Sequence, residues 1–194
     1  MDENLFEKGY DIDSYVRNLR NYRSLVRGLM DEADASDEHA TRLKELASGH
    51  PQPVHATVTT EDWCGDSALN LPILSSLFGK AGIELRVFRG SETSELKDKY
   101  ESEGDDHIPV LSLWDGEGAE LGRWIEAPKA VHTMKNTWKA ERPEFMELYA
   151  KQKDDKEAAR KFASLYRLFL DEMAGWYRSG MWLETTREVV ALLG

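Results

Sequence analysis

Between residues 54 and 125 the hydrophobic positions alternate between short β-branched runs and helically spaced stripes. Val54-His55-Ala56-Thr57-Val58-Thr59-Thr60 predicts a buried strand. The polar stretch Glu61–Ser67 follows. Then Leu69, Leu71, Ile73, Leu74, Leu77 and Phe78 recur at near-helical spacing, so a strand passes through a tight turn into a helix. Gly79-Lys80-Ala81-Gly82 ends that helix, and Ile83–Phe88 predicts the next strand. Glu92–Glu101 reads as a helix, and Gly104-Asp105-Asp106 as a turn. Two further strands, Val110–Trp114 and Glu120–Ile125, flank Asp115-Gly116-Glu117-Gly118, a hairpin signal.

Helical patterns dominate both ends. Ile12, Tyr15, Val16, Leu19, Tyr22, Val26 and Leu29 share one stripe, which predicts one amphipathic helix over 12–29, capped by Asp11 or Asp13. Arg17, Arg20, Arg23 and Arg27 fall on its other faces, as a solvated surface or a ligand patch. A second short helix is expected over Glu38–Leu46, before the break Gly49-His50-Pro51-Gln52-Pro53. Pro128 starts a helix holding Val131, Met134 and Trp138. Pro143 suits a first helical position in the tail beyond Glu141. There Phe162, Leu165, Tyr166, Phe169, Met173 and Trp176 form one apolar stripe, and Val189, Val190, Leu192 and Leu193 another. Such aromatics either pack a helix onto its neighbours or wall a groove. The expected organisation is a single domain over 1–194: N-terminal helices over 1–49, an α/β core over 50–140 and C-terminal helices over 141–194.

Composition narrows the classes. The 194 residues are 41% hydrophobic, ordinary for a globular protein, and no apolar run approaches the roughly 20 residues that span a bilayer. A net charge of −11 disfavours nucleic acid and anionic membrane as partners. The start, Met-Asp-Glu-Asn-Leu-Phe-Glu-Lys, has no apolar signal core, and one cysteine makes no internal disulfide; a cytoplasmic location is the expectation. His39, His50, His55 and His132 show no metal-ligand spacing, so no metal site is expected. No Gly-rich phosphate loop or nucleophile-elbow motif is present.

The lone cysteine, Cys64, sits in the turn between strand and helix. A thiol at a helix N-terminus meets unpaired N–H groups and the positive dipole end, which favours thiolate. Gly65 leaves the backbone beside the sulfur uncrowded, and Ser67 can turn its hydroxyl back toward it.

Trp63-Cys64-Gly65-Asp66-Ser67 resembles the active-site turn of the thioredoxin superfamily, Trp-Cys-Gly-x-Cys, with serine at the second cysteine position. Pro72 lies where thioredoxins carry a helix-kinking proline, and Ile108-Pro109-Val110 matches the family's cis-proline segment. The likeness covers roughly residues 50–135. Glu-Asp-Trp-Cys-Gly-Asp behind a helical extension resembles a bacterial thioredoxin-like subfamily. The resemblance implies an α/β, thioredoxin-like fold: a mixed central sheet flanked by helices, here extended at both ends. It implies Cys64 as nucleophile, a cis Pro109 against it, and Trp63, Gly65, Asp66, Ile108 and Pro109 as partner-contacting positions. Backbone groups of Ile108 would pair with an extended partner segment. No cofactor is called for, and the expected partners are protein or small-molecule thiols and disulfides.

Serine is far too basic as an alkoxide to resolve a mixed disulfide, so Ser67 cannot complete two-cysteine turnover. Cys64 is left with mixed disulfides resolved by an external thiol, with oxidation to a sulfenate as a sensor, or with no chemistry in a fold used for binding. The family's buried strand aspartate, six residues before the nucleophile, is Val58 here. Glu61, Asp62 and Asp66 put three carboxylates near the sulfur. They raise its pKa and repel anionic glutathione in favour of cationic or neutral disulfides, or they simply cap the turn. His107 approaches Cys64 and stabilises thiolate if Pro109 is cis, or it is a turn residue.

Overall fold

The computed structural model describes residues 1–194. In chain order the elements are α1 (Glu3–Phe6), α2 (Ile12–Arg17), α3 (Arg23–Glu32), α4 (Asp37–Ser48), β1 (His55–Thr60), α5 (Gly65–Ala81), β2 (Glu84–Arg89), α6 (Ser94–Ser102), β3 (Val110–Trp114), β4 (Glu120–Ile125), α7 (Lys129–Ala140), α8 (Glu144–Lys151), α9 (Lys156–Trp176) and α10 (Trp182–Val190). They fall into two compact units, residues 1–127 with 182–194, and residues 128–181.

In the first unit the sheet order is β2-β1-β3-β4. β1 and β2 are parallel, as a strand–helix–strand crossover through α5 requires, and β3 and β4 form an antiparallel hairpin against β1. α5 is buried on nearly every face, which is why its sequence is apolar all round. It packs against α3, α4 and α10. Its start is set by Cys64 in extended conformation and its end by Gly82, whose φ of +73° is a left-handed helix stop. On the opposite side of the sheet, Leu96 and Tyr100 of α6 pack with Phe88, Val110 and Trp114.

The terminal segments are tied to this core by side-chain bonds. Trp182 Nε1 donates to the Leu69 carbonyl at 2.9 Å, and Thr185 Oγ1 to Asn70 Oδ1 at 2.9 Å. Trp124 Nε1 donates to Glu188 Oε2 at 2.8 Å, and His39 Nδ1 lies 2.7 Å from Thr186 Oγ1. α10 therefore packs on α5 and α4.

The stripe over 12–29 is not one helix. It breaks at 18–22 into α2 and α3, with Tyr22 left-handed at φ +54°. Two loop groups that a continuous helix would have used internally are spent elsewhere: the Arg20 N–H donates to Asp62 Oδ2 at 3.0 Å, and the Asn18 carbonyl accepts from Arg89 Nη2 at 3.2 Å. Asp11 caps α2 by accepting from the Ser14 N–H at 2.7 Å. Arg17, Arg20, Arg23 and Arg27 are all exposed.

The second unit is helical. Asp155 caps α9 by accepting from the Glu157 N–H at 2.8 Å. Phe162, Tyr166 and Phe169 of α9 gather around Phe145 of α8, with ring centroids 5.2, 6.4 and 5.5 Å away. Trp138 of α7 lies 4.4 Å from Phe169 and donates its indole N–H to Glu172 Oε2 at 2.8 Å. These aromatics serve helix packing.

Candidate functional site

β1 delivers the turn Glu61–Cys64 to the N-terminus of α5, and the 107–109 loop brings a second backbone segment against it. Cys64 Sγ accepts from the Ser67 N–H at 3.4 Å, so the thiol is itself the helix cap. The S–H donates to the Ile108 carbonyl at 3.3 Å. The Ile108–Pro109 peptide is cis. Ser67 is buried, and its hydroxyl hydrogen-bonds with the Thr60 hydroxyl.

The sulfur is covered. Cys64 is 6% exposed, while its neighbour Trp63 is 62% exposed. A void of only about 10 Å³ separates it from Tyr15, Leu19, Tyr22 and Val26 of the N-terminal helices. Burial pushes the Cys64 thiol up from its ordinary pKa, and the charge of Asp66 adds to the rise. Hydrogen bonds from Ser67 act the other way and are outweighed. Burial at this position therefore opposes the helix-terminus preference for thiolate. The N–H groups are present, but desolvation beneath α2 and α3 dominates them.

The three carboxylates of the turn separate into different roles. Asp62 is 7% exposed and pairs with Arg89, 3% exposed, at 2.7 Å. Arg89 also stacks on the rings of Tyr10 and Tyr15, 4.8 and 4.9 Å from their centroids. Asp62 thus anchors the 18–22 loop and the end of β2 in place of acting on the sulfur. Glu61 accepts from the Ser91 N–H at 2.6 Å and from its hydroxyl at 2.9 Å. Of the three, Asp66 is the carboxylate whose charge reaches Cys64.

Gly65 is buried in the first turn of α5 and Pro109 beneath the loop. His107 is exposed, with its ring nitrogens 3.5 Å from Asp106 and 3.6 Å from Glu126. The sulfur's hydrogen-bond partners are Ile108 and Ser67, so the imidazole faces carboxylates on the rim. Val58, at the family's buried-acid position, is fully buried among apolar neighbours.

Sequence reasoning missed Arg89, Tyr15 and Leu19 as parts of this site. Arg89 stands opposite Thr60 in the parallel register of β1 and β2, a placement set by strand pairing and not by its neighbours in the chain. No cluster of three or more histidine, cysteine or acidic side chains is placed to hold a metal ion.

Two solved structures share the architecture. One is a protein of unknown function from Pseudomonas aeruginosa, 18% identical with a TM-score of 0.60, covering 97% of this chain and 93% of the other. The second is an HIV epitope-scaffold, 19% identical with a TM-score of 0.58, covering 97% and 94%. No curated protein matches the chain. A family model described as Thioredoxin matches residues 9–139, a span that includes the broken N-terminal stripe as well as the sheet and the Cys64 turn. The chain belongs to the thioredoxin family.

Proposed function

We propose that this protein is a single-cysteine thiol–disulfide exchange protein that works through mixed disulfides at Cys64. The observation that carries the reading is the placement of the thiol as cap of α5 and against the Ile108 carbonyl, between two backbone segments that a partner could engage. In the step, Cys64 gives up its proton to solvent and the thiolate attacks a partner disulfide. One S–S bond forms to Cys64, the partner's S–S bond breaks, and its departing sulfur leaves as a thiolate that takes up a proton. Ser67 cannot resolve the product, so an external thiol must attack the mixed disulfide and regenerate Cys64. For attack, the S–H···O=C bond to Ile108 must open and the helical cover must yield, which keeps the unpartnered protein unreactive.

Partners are thiols and disulfides of proteins or small molecules, with cationic or neutral ones favoured by Asp66 and the net charge of −11. No helix is long and apolar enough to cross a membrane. A second reading, a non-catalytic interaction or redox-sensing module, draws on the burial of Cys64, which pushes its thiol pKa up. The deciding experiment incubates native protein with cystamine or with oxidised glutathione and follows adducts by mass spectrometry. Exchange predicts an adduct on Cys64 that forms faster with cystamine and is released by added thiol. No adduct on folded protein with either disulfide favours the interaction module.

A further inference from the structure

Beside the turn lies a cleft of about 490 Å³, within the usual size of small-molecule sites. Its lining includes Thr59, Tyr100, Val110, Ile108 and Trp63, and does not include Cys64. Thr59 is 1% exposed, and its hydroxyl Oγ1 is buried with no hydrogen-bond partner. The neighbouring hydroxyls of this sheet face are satisfied: Thr57 Oγ1 accepts from Trp114 Nε1 at 2.9 Å, and Tyr100 donates to Ser112 Oγ at 2.9 Å. A buried hydroxyl without a partner is costly, and Thr59 belongs to the lining of this cleft.

Charge fixes the class of that ligand. Glu61, Glu101, Asp105 and Asp106 line the cleft against Arg20 and Lys97, and acids stay in excess even with His107 protonated. Lys97 is drawn to Glu101 at 3.5 Å, Arg20 to Glu92 at 3.1 Å, and Arg123 pairs with Asp105 from outside the lining. Asp106 is exposed on the rim, where its one ion-pair partner is His107. Trp63, which is well exposed, offers the cleft a flat apolar face.

We infer that this cleft binds a small organic cation with an aromatic or apolar body, its polar tail bonded to the Thr59 hydroxyl and its charge held at the acidic rim. Cys64 is not part of its lining, although Trp63 and Ile108 border both the cleft and the thiol. The test titrates the full chain with tryptamine and with indole-3-propionate, the same ring with opposite charge, by calorimetry or chemical-shift perturbation. Tryptamine is expected to bind saturably and at least tenfold more tightly than indole-3-propionate. Thr59→Val keeps the side-chain shape, removes the orphaned hydroxyl and should weaken tryptamine at least threefold. Asp106→Arg, on an exposed loop that poses no folding risk, should weaken tryptamine and strengthen indole-3-propionate. Equal or tighter binding of indole-3-propionate, tryptamine binding unmoved by both Thr59→Val and Asp106→Arg, or no saturable binding of either probe overturns the inference.

Discussion

The thiol of Cys64 donates its proton to the carbonyl of Ile108 at 3.3 Å, joining the first turn of α5 to the loop before Pro109 across 44 residues of chain. That bond requires a protonated sulfur. It engages one of the two lone pairs of the backbone carbonyl next to Pro109.

The first consequence is a pH dependence. Burial raises the Cys64 pKa in the folded chain above its unfolded value, about 8.5 for a free thiol. Below that value both states keep the proton and stability is unaffected by it. As pH rises past it, the unfolded chain deprotonates first and binds fewer protons, so stability falls until the folded pKa is reached. Urea denaturation between pH 7 and pH 10 should show this alkaline loss, and Cys64→Ala should lack that part of it. Alkylation of the native protein should titrate above 8.5; an apparent pKa below 8 would show that the helix terminus wins after all.

Leu19 tests the cover. It is buried against the void beside the sulfur. Leu19→Ala should cost roughly 2–5 kcal/mol in stability, the usual range for a buried leucine. It should also speed iodoacetamide modification of Cys64 severalfold under conditions where the variant remains folded. A variant equally destabilised at a distant buried position, such as Leu96→Ala in α6, should leave the alkylation rate alone. Equal acceleration by both would assign reactivity to global opening.

Asp62 and Arg89 form the buried pair that holds the 18–22 loop down. Asp62→Asn takes the nearer carboxylate from Arg89, leaving Glu92 at 3.3 Å, and should cost roughly 1–3 kcal/mol, measured by chemical denaturation. Replacing both partners, Asp62→Asn with Arg89→Met, should recover part of that loss, because no buried guanidinium then lacks its nearer carboxylate. A double variant no better than the single would locate the cost in lost backbone bonds to Arg20 and Asn18 instead.

Ser67→Cys should give the chain an internal disulfide. Position 67 already brings its backbone N–H to 3.4 Å from the Cys64 sulfur, and side chains three apart on a helix lie about 5–6 Å from each other, within disulfide reach. Oxidised variant should show no free thiol by mass spectrometry, while the parent keeps one. Val58 still supplies no buried base, so reduction of an insoluble-disulfide substrate by the variant should remain slow. Fast turnover by the parent without added thiol would refute the resolving-thiol requirement.

Much of the architecture follows from local pattern. The hairpin strands stand at Val110–Trp114 and Glu120–Ile125, where alternation and turn residues placed them, and α5 begins at the residue after Cys64. Capping was equally legible: Asp11 closes α2 because an aspartate oxygen reaches an N–H three residues on, a relationship internal to four residues of chain. The single helix over 12–29 failed for the opposite reason. Its apolar stripe is the same whether the chain runs straight or breaks, and the break is decided by Asp62 and Arg89, remote residues that capture Arg20 N–H and Asn18 carbonyl.

By itself the sequence determined the succession of strands and helices, the position of the one thiol at a helix start and the loss of its resolving partner, since each depends only on neighbours along the chain. The state of that thiol was decided by tertiary structure. A dipole argument made within the turn favours thiolate, but the sulfur lies beneath Tyr15, Leu19, Tyr22 and Val26. Desolvation depends on what the rest of the fold puts on top. Tertiary structure likewise turned Asp62 from a neighbour of the thiol into the partner of Arg89 and left the Thr59 hydroxyl buried and unbonded. Those outcomes belong to pairs distant in the chain, whose residue types carry no mark of the contacts they make or lack.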